Sequence, residues 1–354
     1  MNTQSTAIEA STQTKQPSDL RVQMMFQFLV LSLLILLLVN YKGTAGINKI
    51  RQVRTTGRLS LPAFQKGDSS LEISTFRDTA QYLKIVWRAL FFGVLISAAV
   101  RTSLSRTPLH TLFGRGALRD QVTGALAGMP LMLCSCCVAP IFPSIYLRTR
   151  RIAPALAVAL AAPSLNPVAL TLSFVLFPLR VAGARLAMAL TLVLIGSALV
   201  ASITRSPKIP IEPEKVDRDT SWSELFSAYA KSLAYISVRT VPLILIGIWA
   251  SMWIMARLSL NTLGATASAK VFSIAIVALI AVLLTLPSLF EIPLALSILA
   301  AGGPTGAAAA VLFAGPAINL PSLLVIGRHS SWKVGVTLAG LVWAIAATGG
   351  LLLR

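Results

Sequence analysis

The sequence predicts an all-α polytopic membrane protein made of two repeated halves with proline-broken helices and about eight to ten membrane segments. Three observations carry that prediction. Of 354 residues, 55% are hydrophobic and only 12% charged, against roughly 25% charged in an ordinary soluble domain. From residue 82 almost to the end, the chain runs in long uncharged stretches, long enough to supply the roughly 20 apolar residues that a crossing helix needs. Prolines and asparagines also recur at matched places in the two halves.

The formal charge of +19, from 31 Lys+Arg against 12 Asp+Glu, would point to nucleic acid in a soluble protein. With a mean hydropathy of +0.77, an anionic bilayer surface is the simpler partner, and no nucleic acid is expected. The same composition excludes a disordered tail protein, a disulfide scaffold and a soluble single-domain enzyme.

Residues 1–21 form a polar tail rich in Ser, Thr and Gln. Residues 22–41 follow as an extra first transmembrane helix. Its run Val22 to Asn40 is too long for a signal-peptide core and leaves through Asn40-Tyr41-Lys42 rather than a small-x-small cleavage site. Residues 42–81 carry seven Lys or Arg against three acids and are expected to be an extramembrane loop. The first half spans 82–204, with segments at about 82–101, 121–147, 153–177 and 179–203. Residues 205–224 hold four cations and five acids and form the linker. The second half, 225–354, has segments at about 228–256, 270–300, 305–327 and 331–353.

An offset of 153 residues places Pro140 on Pro293, Pro163 on Pro316, Asn166 on Asn319 and Ser135 on Ser288. Leucine and alanine match by chance in apolar stretches, so the Pro and Asn coincidences carry the repeat. A repeat interrupted by proline at equivalent places is the signature of a secondary transporter, whose site lies between discontinuous helices. If all four segments of a half span, the halves are parallel; if one only re-enters, they are inverted. The cationic segments 42–81, Arg148 to Arg151 and the linker are assigned to the cytoplasmic side, although alternate loops differ little in Lys and Arg.

All three cysteines, Cys134, Cys136 and Cys137, fall within four residues, so no disulfide framework is available to staple distant segments. They lie between Pro130 and Pro140, where a helix must break or kink. Unwound backbone is tolerated in a membrane only when buried or lining a cavity, so the thiols, with the Ser135 hydroxyl beside them, face something other than lipid. Thiolates select soft metals and metalloids. A packing role is the bland alternative, and Cys134 and Cys137 also form a C-x-x-C redox spacing. A membrane thiol oxidoreductase would need a second cysteine pair or a quinone, and the chain has no further cysteine.

Glu291 is the only acid after Glu224, and it lies between Pro287 and Pro293. A carboxyl inside a membrane segment points to a proton or cation site, or else to a structural pair with an arginine such as Arg239. Asn166 and Asn319 follow Pro163 and Pro316, placed to cap the resumed helix or to contact substrate. Gly124-Ala-Leu-Ala-Gly128 means close helix packing at most, and Arg148, Arg150 and Arg151 mark a membrane-surface loop. The chain has no G-x-x-x-x-G-K-[ST] loop and no H-E-x-x-H. His110 and His329 lie far apart, and no cofactor is expected.

With these residues in view, the chain from about residue 80 to 354 resembles the ArsP-like family of predicted bacterial permeases, which includes efflux permeases for trivalent organoarsenicals. Family members carry a Cys-Ser-Cys-Gly-type stretch followed by proline in the first repeat and an acid in the corresponding stretch of the second. Here these are Cys134, Ser135, Cys136 and Glu291, and Cys137 stands where glycine is usual. The resemblance implies a multi-pass permease of the bacterial inner membrane, not an enzyme, that takes a small molecule or ion as substrate. The expected function is export of a thiophilic species by ion-coupled alternating access. Cys134, Cys136 and Cys137 would bind it as transported soft ion, with Ser135, Asn166 and Asn319 completing the site and Glu291 loading the coupling proton. A thiol oxidoreductase and a non-transporting scaffold are the alternatives, and a homo-oligomer is left open.

Overall fold

Uninterrupted runs of Ala, Leu, Val and Ile in lipid leave the backbone to satisfy its own hydrogen bonds, and a helix does so within a single segment. The computed structural model describes residues 17–56, 71–103, 117–149, 151–204, 222–257, 270–285, 289–300 and 303–353, and all regular structure among them is helical. In order these are α1 (Pro17–Thr56), α2 (Leu71–Ser103), α3 (Ala117–Gly128, continued by a 3-10 turn Met129–Leu131), α4 (Ser135–Val138), α5 (Ile141–Thr149), α6 (Ile152–Ser164) and α7 (Pro167–Leu176). The series continues with α8 (Leu179–Thr204, with a π-helical turn at Thr191–Gly196), α9 (Trp222–Arg257), α10 (Lys270–Leu283), α11 (Glu291–Ala300), α12 (Thr305–Ala317), α13 (Leu320–His329) and α14 (Trp332–Leu351).

Among the described residues four helices are long and apolar enough to cross a membrane: Met25–Gln52, Leu179–Thr204, Trp222–Ser251 and Trp332–Leu351. Three broken pairs raise the number of spans to as many as seven if each counts as one. The pair Leu118–Leu131 and Ser135–Leu147 bends by 115°, the α6–α7 pair by 43° and the α12–α13 pair by 45°. Beyond the first two helices, the ends of the hydrophobic segments read from sequence lie within about six residues of helix ends. One expectation changes: α1 does not end at Asn40-Tyr41-Lys42 but runs on to Thr56, and α2 begins at Leu71, so both ends of the expected 42–81 loop are helical. No proline occurs between Pro17 and Pro62 to stop the helix. Gly43 and Gly46 inside it cost about 1 kcal/mol each relative to Ala, and at Gly46 close packing offsets that cost. Most of the linker, residues 205–221, and His110 lie outside the described residues.

The helix breaks differ in kind. Pro130 sits in the 3-10 turn, and the chain then passes through Met132 in the left-handed region at φ 49°. Pro140 lies in the turn between α4 and α5. Pro163 and Pro316 are the next-to-last residues of α6 and α12, and each helix stops immediately after. Pro293, expected as a break, is instead inside the first turn of α11, where the missing N–H would lack an intrahelical partner anyway. Pro287 and Ser288 lie outside the described residues.

Packing crosses the halves. α2 packs along α9, with the Tyr229 hydroxyl donating to the Leu95 carbonyl at 3.3 Å and Arg101 stacked 4.2 Å from the Tyr235 ring. α12 contacts both α6 and α8, and α13 contacts α4 and α5. α3 lies along α6, where Gly124 and Gly128 allow the approach: a Cβ on Gly124 would sit 2.8 Å from the Ala157 methyl. Large apolar side chains such as Met25, Leu36, Leu126, Ile195 and Val336 point outward, as a lipid-facing surface requires.

Candidate functional site

The cysteines occupy the sharpest break. Cys134 is extended and N-caps α4, its carbonyl accepting from the Cys137 and Val138 amides at 3.0 Å each. One extended residue followed by one helical turn turns all three thiols to a common point. The Sγ atoms of Cys134 and Cys136 are 3.2 Å apart, those of Cys134 and Cys137 2.7 Å, and those of Cys136 and Cys137 3.8 Å. Two sulfurs each about 2.3 Å from one ion can be at most about 4.6 Å apart, so the three thiols fit a single soft centre. All three are buried, Cys134 at 7% exposure and Cys137 at 0%.

One face of α2 holds this loop. Tyr82, Val86, Gly93 and Ser97 recur at steps of four, seven and four, a single helical stripe. The Tyr82 hydroxyl lies 3.5 Å from Cys136 Sγ, and the Cys137 thiol points to the Val86 carbonyl at 4.0 Å. Any Cβ on Gly93 would overlap the Cys137 carbonyl, so only glycine lets α2 come this close. Ser97 donates to the Pro140 carbonyl, an acceptor near the broken helix, and shares a 2.7 Å hydrogen bond with Ser144. From the other half, α13 packs on α4, bringing the Asn319-bearing helix to the thiol loop.

Asn319 caps α13 through a reciprocal capping box, its side-chain oxygen accepting from Ser322 N at 3.1 Å while Ser322 Oγ accepts from Asn319 N at 3.1 Å. Its Nδ2 is buried with no hydrogen-bond partner among the described residues, a donor left for a ligand or water. Asn166 caps α7 with its side-chain oxygen alone, accepting from Val168 N at 3.0 Å and Ala169 N at 3.4 Å.

Glu291 begins α11 immediately after Leu289 in the left-handed region at φ 75° and Phe290. It pairs with Arg185 of α8 at 3.2 Å, both side chains almost wholly buried. Arg185 also donates to the Ala169 carbonyl at 3.3 Å and to Ser173 Oγ on α7. The charge pair thus joins the second-half acid to the first-half helix that Asn166 caps. Arg239, the arginine named from sequence as a partner for Glu291, is elsewhere: it is exposed on α9 and donates to the Tyr235 hydroxyl at 2.7 Å, one helical turn away. Arg151 pairs with buried Asp120, fixing the start of α3 to the start of α6, and Arg150 lies outside the described residues. His329 is joined through Nδ1 to the Val325 carbonyl of its own helix.

The arrangement is therefore crossed: the first-half thiol loop meets the second-half Asn helix, and the second-half acid reaches the first-half Asn helix through Arg185. The sequence model of a family of predicted permeases, ArsP_1, matches residues 72–354. The chain belongs to that family. This permease is also 27% identical over 278 residues to UPF0718 protein YraQ of Escherichia coli (strain K12), covering 77% of this chain and 79% of that protein. No solved structure matches it. Membership makes it a multi-pass membrane permease with a small molecule or ion as substrate. Sequence reasoning missed Tyr82, Gly93, Ser97 and Arg185, whose only advance signal was helical spacing on α2 and a cation within an apolar run on α8.

Proposed function

We propose that this permease is a secondary transporter of the bacterial inner membrane that exports a thiophilic metalloid or metal species, such as a trivalent organoarsenical. The convergence of three buried thiols at a broken helix carries the reading. A trivalent arsenoxide exchanges its oxygen for two thiols and releases one water, with arsenic unchanged in oxidation state. Two sulfurs capture it; a third would hold it too tightly for turnover. The Asn319 amide N–H, unpartnered among the described residues, and the Ser135 hydroxyl complete a polar lining beside the soft centre.

Glu291 is the coupling group. A proton arriving there removes the charge that faces Arg185 and leaves the guanidinium held only by neutral oxygens of Ala169 and Ser173, an unstable state for a buried cation. Relief requires α8 or α11 to move, which ties protonation to a rearrangement between the halves. The 115° bend between the Leu118–Leu131 and Ser135–Leu147 helices supports a re-entrant hairpin, hence inverted halves. The identical lengths of α6 and α12, 13 residues each, and of α7 and α13, 10 each, support the internal repeat.

The test is growth of an arsenic-sensitive bacterial strain expressing the chain in the presence of inorganic arsenite, trivalent methyl- or phenylarsenicals, or antimonite. Resistance that vanishes with Cys134→Ser/Cys136→Ser at equal membrane expression establishes thiol-dependent export. Resistance that persists in the double variant rejects the thiol mechanism, and no resistance to any of them rejects this substrate class.

A further inference from the structure

Helix α1 lies outside the residues matched by the family model, yet it is built into the site. It packs against α2, α7 and the 3-10 turn that leads into the thiol loop. Leu38, Lys42, Gly46 and Lys49 follow one another at steps of four, four and three and so share one face. Leu38 and Gly46 on that face are buried, and the two lysines are half-buried. Gly46 abuts Val168, two residues past the Asn166 cap, so closely that a Cβ would collide with its methyls. On α9, Gly247 abuts Pro321 in the same manner, and Pro321 is the counterpart of Val168 at the 153-residue offset. Thus α1 supplies the first half with the close helix contact that α9 supplies to the second.

The two lysines flank that contact. Lys42 and Lys49 stand about one turn to either side of Gly46, on the helix that packs against α7 and the 3-10 turn leading into the thiol loop. Neither forms an ion pair with a described residue, and the Glu291 carboxylate is already engaged by Arg185. Cations held within a membrane span are costly and collect where an anion is handled. Met25, Leu29, Leu33 and Leu36, in the N-terminal stretch of α1, point outward; in its more polar C-terminal stretch Arg51 is exposed, whereas Lys42 and Lys49 lie half-buried on the face of Gly46.

We propose that Lys42 and Lys49 are specificity-determining residues: they form a cationic wall that makes the site prefer a thiophilic centre carrying an acidic group over its neutral counterpart. The inference rests on thiol capture as described above. An acidic arm on the captured centre reaches the wall while the thiols hold the soft atom, and the α1 lysines supply the charge-assisted donors that the thiol loop lacks.

Purified, detergent-solubilised permease is offered phenylarsine oxide or its para-carboxylate analogue, and the concentration of each that halves maleimide labelling of the thiols is measured. The carboxylate probe is expected to protect at about tenfold lower concentration, as one charge-assisted contact implies. Lys42→Met/Lys49→Met removes the preference, Lys42→Glu/Lys49→Glu reverses it, and Lys42→Arg/Lys49→Arg retains it with the charge. Lys333→Met, at an exposed lysine of α14, retains it as well. Equal protection by the two probes, or a preference that survives Lys42→Glu/Lys49→Glu, overturns the inference and leaves thiol capture standing. Protection by neither probe overturns thiol capture itself, and the inference with it.

Discussion

Arg185 is the bulkiest of the fully buried side chains among the described residues, and it is paired there with Glu291. Its stability depends on Glu291, because a buried ion pair is a modest stabiliser while either partner alone is a liability. Arg185→Met should therefore lower stability by about 3–5 kcal/mol, and Arg185→Met/Glu291→Met should recover much of the loss. Thermal unfolding in detergent reads both; equal damage in the single and double variants would show that the pair is not the stabilising unit. The double variant separates roles as well, since a protein that folds without the pair but no longer responds to an imposed proton gradient assigns coupling to it. Gly93 makes a second residue-scale case. Gly93→Ala forces a methyl into the Cys137 carbonyl, so a loss of about 1–3 kcal/mol is expected from overpacking, together with altered thiol reactivity. An unchanged melting temperature and labelling rate would mean that α2 yields freely.

At the scale of the element, the helix caps are where the two halves invite comparison. Asn166→Ala and Asn319→Ala should each cost about 1 kcal/mol as lost caps. Asn319 has a further function to lose, because its Nδ2 has no partner among the described residues. Asn319→Asp keeps the capping oxygen and removes the amide donor. It should hold the melting temperature near wild type while weakening protection by a bound arsenical, and equal protection would confine Asn319 to capping. These elements were legible because proline and asparagine are sparse in apolar helices, so Pro163 with Asn166 and Pro316 with Asn319 stood out. The end of α1 was not legible: Asn40-Tyr41-Lys42 reads as an exit from the membrane, and only packing of Gly46 on Val168 shows why the helix continues. Nor was Arg185 legible as the partner of Glu291. The two are 106 positions apart, and a single sequence offers several arginines to one acid with nothing to choose among them. The thiol cluster was the reverse case, since three cysteines in four residues announce themselves, but the Tyr82, Gly93 and Ser97 stripe that fixes them looks like any other packing face.

For the molecule as a whole, the described conformation is one in which all three thiols are buried. Bulky maleimides applied to intact membranes should label them slowly, and denaturation should release all three at once. Labelling at the rate of a free thiol would show that the resting protein is open.

The π-helical turn at Thr191–Gly196 has a consequence of another kind. Such a turn is how a helix absorbs one residue beyond its regular count without rotating what lies on either side. Arg185 lies before it, and the buried Ser197 and Val200 of the same helix lie after it. Chain length is thus negotiable at this one place: removing a single residue within 191–196 should anneal the turn into regular helix and leave a working protein. The same deletion in α6, buried on nearly every side, would turn every following side chain of that helix by about a quarter of a revolution and should be lethal to the fold.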